Sequence, residues 1–283
     1  MKRLAFLFFA LILIGCFQDQ NLKIVNDLPL SLRESSGVEF IAATNSIWTH
    51  NDSGNDSELY RLSESGEVVQ VIQINAPNRD WEDITSDKEG NLYIGDFGNN
   101  DNTRKNLRIY KVNKSDLQRE NAEISVIKFR FEDQKDFPPK RKKRIFDAEA
   151  FFYFKGHLYI FTKSRISNKI GKTNLYKVPA KEGAYVAEKI GSFTNCNQKA
   201  CWITGADISD DGSKMVLLSE KNLIIFSDFK DDHFFDGKRD EIVFEYQSQK
   251  EAVCFKNNQT LYITDERAIS SGGNLYELNL PKN

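Results

Sequence analysis

Residues 79–100 read RDWEDITSDKEGNLYIGDFGNN, and the pattern in this stretch decides the fold. A short strand-like run, Trp81 to Ser86 with two acids at its front, leads into a turn, Asp87-Lys88-Glu89-Gly90-Asn91. A second run, Leu92-Tyr93-Ile94, leads out of it. Two such runs joined by a short glycine-bearing loop read as a β-hairpin. Carboxylates stand at both of its open ends, Glu82 and Asp83 at the start of the first strand and Asp96 at the end of the second. A strand end is a poor place for a charge unless it faces water, a cation or a substrate.

The hairpin recurs. Upstream lies SGVEFIAATNSIWTHNDSGNDSELYRL, and downstream lie FDAEAFFYFKGHLYIFTKSRISNKIGKTNLYKV, TGADISDDGSKMVLLSEKNLIIFSDF and KEAVCFKNNQTLYITDERAISSGGNLYEL. Each copy has an acid near the front, a strand, a tight turn, a second strand and a third strand often spelled LYKV or LYEL. A fourth run follows most of them: EVVQVIQI, EISVIKFRF, YVAEKIGSF and EIVFEYQ. Four antiparallel strands repeating at roughly 45 to 65 residues is the period of propeller blades.

The five units begin near Glu39, Glu82, Glu149, Asp207 and Glu251, and the last lacks a fourth strand. An orphan strand, LKIVNDLPL, precedes the first unit. Both leftovers are explained by an all-β, five-bladed propeller of four-stranded antiparallel blades, whose last blade is completed by the N-terminal strand. Such closure removes exposed sheet edges. The connection between Asp116 and Arg144 contains FPPKRKKR, which reads as a solvated loop rather than a sixth blade or a polyanion site.

In a propeller the acids at the strand starts converge on one mouth of the central channel. Glu39, Glu82, Glu149, Asp207 and Glu251 are therefore the candidate metal ligands, with Asp207 the least secure in register. Oxygen donors without histidine or thiolate favour a hard ion such as Ca²⁺. Second-strand ends and their neighbours on the same face supply candidate ligand-binding residues: His50, Asp52, Asp96, Lys163, Arg165, Glu220, Asp265, Glu266 and Arg267. Crowded carboxylates raise one another's pKa and need protons, cationic partners or a bound ion. An alternative reading makes each acid a structural acceptor for backbone N–H groups at the start of its blade.

Other chemistry is not proposed by the sequence. HNDSGNDS fails as a calcium loop because glycine follows Asp52 by two positions and no acid closes the twelve-residue frame. There is no nucleophile elbow, phosphate-binding loop or paired-histidine metal motif, and His50, His157 and His233 are scattered.

The N-terminus has its own logic. MKRLAFLFFALILIGC combines Lys2 and Arg3 with an apolar run too short to span a bilayer. Its end, Leu13-Ile14-Gly15-Cys16, resembles a bacterial lipobox, with Cys16 as the lipidated residue. The expected organisation is a signal peptide over 1–16 and a single propeller domain over 17–283. Phe17 after the cysteine favours the outer membrane by resemblance. The membrane, reached through the acyl anchor, and a small-molecule, glycan or protein ligand are the expected partners. Lys and Arg total 39 against 41 Asp and Glu, a balance that argues against nucleic acid, and a monomer is expected. Cys196 and Cys201 are placed to form a disulfide in an exported protein. Cys254 reads as a small buried residue in a strand.

HNDSG, DWEDI, GDFGNN, FDAEA and TNLYKV together resemble a family of exported bacterial propellers, mostly of unassigned function. That group is more distantly similar to phytase-like or esterase-like propellers and to the five-bladed calcium-dependent apyrases. The apyrase resemblance implies that acids of successive blades hold a calcium ion on the axis, beside which phosphate chemistry occurs. Glu39, Glu82, Glu149 and Glu251 match that pattern, and Asp207 departs from it. No dense Lys and Arg cluster of the kind phytases use to hold a phosphate-rich substrate is read from the sequence, which argues against phytase activity. Two functions follow as expectations: a ligand-binding lipoprotein with an acidic, calcium-holding face, or a calcium-dependent phosphoesterase or esterase-like hydrolase. The lack of an evident base or nucleophile favours the first. The second draws on the crowding of acids with Lys163, Arg165 and Arg267.

Overall fold

Five blades surround a central axis in the computed structural model, which describes residues 22–269 and 271–281. Cys16 and the proposed signal peptide lie outside the described residues. Blade one comprises Ser35–Ile41, Ser46–Asn51, Glu58–Leu62 and Val68–Ile74. Blade two comprises Trp81–Ser86, Leu92–Asp96, Leu107–Val112 and Ile124–Phe131. Blade three runs over Asp147–Phe154, His157–Lys163, Lys172–Pro179 and Gly183–Thr194, and blade four over Gly205–Ile208, Lys214–Leu218, Asn222–Ser227 and Lys238–Val243. Blade five takes Lys250–Asn257, Thr260–Asp265 and Asn274–Asn279, and its outermost strand is the N-terminal Leu22–Asp27. The expected closure is therefore present.

The first strand of each blade lies innermost, and these strands neighbour one another around a full ring. Period-two alternation explains how both faces of every blade become buried. In the second strands spelled LYI, Leu92 and Ile94 pack toward blade one while Tyr93 packs toward blade three. Leu158 and Ile160 likewise face blade two, and Tyr159 faces blade four. Leu261 and Ile263 face blade four, and Tyr262 faces blade one. Five apolar clusters result, one at each interface between blades. Cys254 is buried in the last of these, as the sequence suggests.

Connections set which end of the barrel-like ring each loop occupies. The hairpin turns after the innermost strands all lie at one end, here the lower end. In blade three that turn is Lys155-Gly156, both at positive φ, the conformation that tight two-residue hairpins require. Loops after the second and fourth strands lie at the opposite, upper end. The outer strands of blades two and three also pair in parallel, Ile127–Phe131 against Gly183–Ala187, joining the two blades into one eight-stranded sheet. Cys196 and Cys201 are bonded to each other in the loop leading to blade four.

Candidate functional site: an acidic upper mouth

The innermost strands begin with irregular register. The ladder skips between Ser35 and Gly37, Trp81 and Ile84, Ala148 and Ala150, and Lys250 and Ala252. A bulge re-aims the extra side chain, and the extra residues here include Ser36, Glu82, Glu149 and Glu251. The three glutamates thus occupy equivalent places at the upper mouth. Blades one and four have hydroxyls instead: Ser36 donates to the Glu82 carbonyl at 2.6 Å, and Thr204 to the Lys250 carbonyl at 2.7 Å.

Register corrects two expected metal ligands. Glu39 and Asp207 sit three residues beyond Ser36 and Thr204, about 10 Å farther down their strands. They line a cavity at the lower end, together with turn residues Asp87, Lys155 and Asp210. The acidic ring expected at one mouth is therefore divided between two ends. Asp207 accepts the Phe255 N–H at 2.7 Å, and Asp83 accepts those of Phe151 at 3.0 Å and Ile84 at 2.8 Å. These two acids stitch blades together.

At the upper mouth Asp52, Asp80 and Glu82 bring carboxylate oxygens within 4.8 Å of one another. Gly98 makes room for them, since a Cβ there would stand 2.0 Å from Glu82 Oε1 and 2.4 Å from the Asp80 carboxyl. Arg104 reaches in from the loop after GDFGNN, 2.9 Å from Asp96 and 3.9 Å from Asp80. Blade three adds Glu149, 2.7 Å from Lys163, and Asp147, held by Arg165 at 2.5 Å. Arg165 also stands 3.6 Å from Glu149 Oε1, which is buried and has no hydrogen bond. The Arg165 guanidinium lies 4.9 Å over the Trp202 ring, and the indole N–H donates to the Ser164 carbonyl at 2.9 Å. Glu251 and Glu266 complete the far side, where Gln249 donates to Glu266 at 2.6 Å.

The electrostatics follow from burial and crowding. Burial, then Glu149, Asp52 and Asp80, push the Glu82 carboxyl well above the usual range. Burial also raises Glu149, against the pull of Lys163. Asp52 is raised to about 6, Glu251 to about 7 and Glu266 to about 8, burial acting first in each. Burial opposes the charge on Lys163, but Glu149, Glu251, Asp147 and Glu82 outweigh it and hold the ammonium protonated. An all-oxygen donor set of this kind suits a hard cation rather than zinc. The buried, unbonded Glu149 oxygen fits the same demand.

Four expected ligand-binding residues do not face the mouth. His50 is buried between blades, edge-on to Trp81 at 5.5 Å, with Nδ1 on the Asn51 carbonyl at 3.0 Å. Burial pushes its pKa down to about 4, so the ring is neutral. Asp265 is buried and occupied by the Asn274 N–H and the Tyr276 hydroxyl, each at 2.8 Å. Arg267 pairs with Asp27 and donates to the Leu28 carbonyl at 2.6 Å, holding the closing strand. Asp96 lies behind the mouth, taking the Tyr110 hydroxyl at 2.9 Å and orienting Arg104. Asp52, Lys163, Arg165 and Glu266 do face the mouth, and Glu220 lies beside Glu251. Asp80, Asp147, Arg104 and Trp202 are additions. The two aspartates stand within two residues of the predicted glutamates, whereas nothing local marks Arg104 or Trp202.

Solved structures share the propeller fold. The chain is similar to the PQQ-bound aldose sugar dehydrogenase of Streptomyces coelicolor at a TM-score of 0.53 and 10% identity, over 91% of this chain and 97% of that one. It is similar to a gluconolactonase of Xanthomonas campestris at a TM-score of 0.50 and 13% identity, over 92% and 89% of the respective chains. At these identities the likeness speaks to the propeller fold alone. No protein-family profile and no curated protein matches the sequence.

Proposed function

We propose that the protein is an envelope lipoprotein, anchored through Cys16, whose upper mouth holds a hard divalent cation, Ca²⁺ first, and binds an oxygen-rich ligand against it. The observation that carries this reading is Glu149 Oε1, buried without a hydrogen bond among acids gathered from several blades. Asp52, Asp80 and Glu82 would hold the ion, with Glu149 and Glu251 beside it. When bound, the ion would neutralise these carboxylates and polarise a ligand oxygen. Lys163 and Arg165 would orient an anionic group at the rim, and Trp202 would supply an apolar wall.

A second reading, hydrolysis of a phosphate or other ester, is favoured by the ammonium of Lys163 held 2.7 Å from Glu149 inside the mouth. Such an ammonium can offset charge developing on a substrate oxygen. The experiment that tests both is a melting curve with calcium and with chelator, paired with turnover assays on phosphate and ester panels. Stabilisation by calcium that disappears in Glu82→Gln supports cation binding. Identical melting in calcium and chelator removes it, and turnover that requires calcium and Lys163 selects the hydrolase.

A further inference from the structure

The basic run 140–144, a solvated loop by sequence, does not stand alone in the fold. Lys142 and Lys143 share a cavity of about 270 Å³ with Lys169, Lys172 and Lys189, which come from two other segments of blade three. Its lining also includes the apolar side chains of Ile145, Phe146 and Ile166. Asp133 and Asp136 are the acids on its wall, and Asp133 stands 3.9 Å from Lys189. Among the described residues no carboxylate lies within ion-pairing distance of Lys142, Lys143, Lys169 or Lys172.

This cavity adjoins another. Lys142 and Ile166 also line a space of about 720 Å³ with Arg141, Arg144 and Arg165. The two spaces meet at these two shared residues and lie side by side as a basic groove at the upper edge of blades two and three. Arg165 lines the second space and is fixed by Asp147 and Glu149 at the acidic mouth. The fold thus assembles from separated segments a dense cationic cluster that no single stretch of sequence contains.

Gathered ammonium groups repel one another, and burial with Lys189 and Lys169 pushes the Lys172 pKa down. A multiply charged anion would relieve that repulsion. Lysines act as mobile point charges, which suits several phosphate groups better than one planar carboxylate. The groove opens at the upper end, whereas Leu22 leaves blade five at the lower end. An acyl anchor ahead of Leu22 would therefore turn the groove away from the bilayer and toward a soluble ligand.

We propose that this groove binds a soluble ligand bearing several phosphate groups, held by Lys142, Lys169, Lys172 and Lys189, with one end presented to the acidic mouth. The proposal names a ligand class for the upper face and rests on the cation reading for orientation alone, not for binding. The test is calorimetric titration of the full-length protein with inorganic tripolyphosphate, with chelator present. The triple variant Lys142→Ala, Lys169→Ala, Lys172→Ala should bind at least about tenfold more weakly, with an unchanged melting temperature. Arginine at the same positions should restore binding, and added salt should weaken it in the parent. Glu82→Gln should bind like the parent in chelator, which separates failure of the cation site from failure of the groove. Equal binding by the parent and the triple variant overturns the proposal, as does no binding by the parent. It is also overturned if these lysines serve only to retain the protein on vesicles of mixed phosphatidylcholine and phosphatidylglycerol, without affinity for tripolyphosphate.

Discussion

Glu82 and Asp83 are neighbours of the same chemical kind, yet the fold gives them different tasks. The bulge at the start of the strand turns Glu82 to the mouth and Asp83 to the Phe151 and Ile84 amides of the inner ring. Asp83→Ala leaves two buried N–H groups short of an acceptor, so unfolding free energy should fall by about 1–3 kcal/mol. Asp83→Asn, which keeps an acceptor oxygen, should recover much of it. Denaturant titration measures both, and an Ala variant as stable as the parent would sink the stitching role. The calcium response should survive in Asp83→Ala and be lost in Glu82→Gln. The sequence made this pair visible as a carboxylate cluster, because acids are rare at the start of apolar strands. It did not reveal the bulge, which depends on pairing with a partner strand. Glu39 was misplaced for the same reason: its acid-then-apolar surroundings imitate DWEDI, but three residues of register carry it toward the lower cavity.

Strands and their pairings were the more legible level. The LYI and LYKV spellings report alternation between two buried faces, which needs no knowledge of partners beyond their existence. Tyrosines of the third strands then find carboxylates: Tyr110 on Asp96, Tyr176 on Asp133 and Tyr276 on Asp265, each at 2.8 or 2.9 Å. Those bonds are tertiary, so Asp96 and Asp265 looked like site residues in the sequence. The closing strand was legible from arithmetic alone, one strand missing at the end and one spare at the start. Leu22–Asp27 pairs antiparallel with Asn274–Asn279, and Leu28 is buried beyond it. Deleting 22–30 should expose the edge of Asn274–Asn279, lower the melting temperature by several degrees and promote association. Arg267→Ala, which loosens the same strand from its Asp27 and Leu28 contacts, should produce a smaller drop. A deletion that melts like the parent would contradict closure by this strand.

At the scale of the molecule the two ends of the propeller differ in what they present, and the anchor proposed at Cys16 would decide which one faces outward. Cys16→Ala should block lipoprotein processing and shift the protein out of the membrane fraction. Unchanged fractionation would remove the anchor and, with it, the upward orientation of the mouth. The charge of that mouth also sets a pH dependence. Asp52, Glu251 and Glu266 titrate at about 6, 7 and 8 in the folded protein, raised by burial first and by neighbouring acids second. In the unfolded chain such groups titrate near about pH 4. Between about pH 4 and 8 the folded state therefore binds more protons than the unfolded one, and stability without a cation falls as pH rises through that window. A divalent ion at the proposed site would bind the ionised carboxylates and compete with their protons. The melting temperature in calcium minus that in chelator should thus be small at pH 5 and widen to a few degrees by pH 8. Glu82→Gln should flatten the widening. A difference that stays constant or absent across this range would mean that the acids share protons among themselves and with Lys163, and that the mouth needs no ion to be stable.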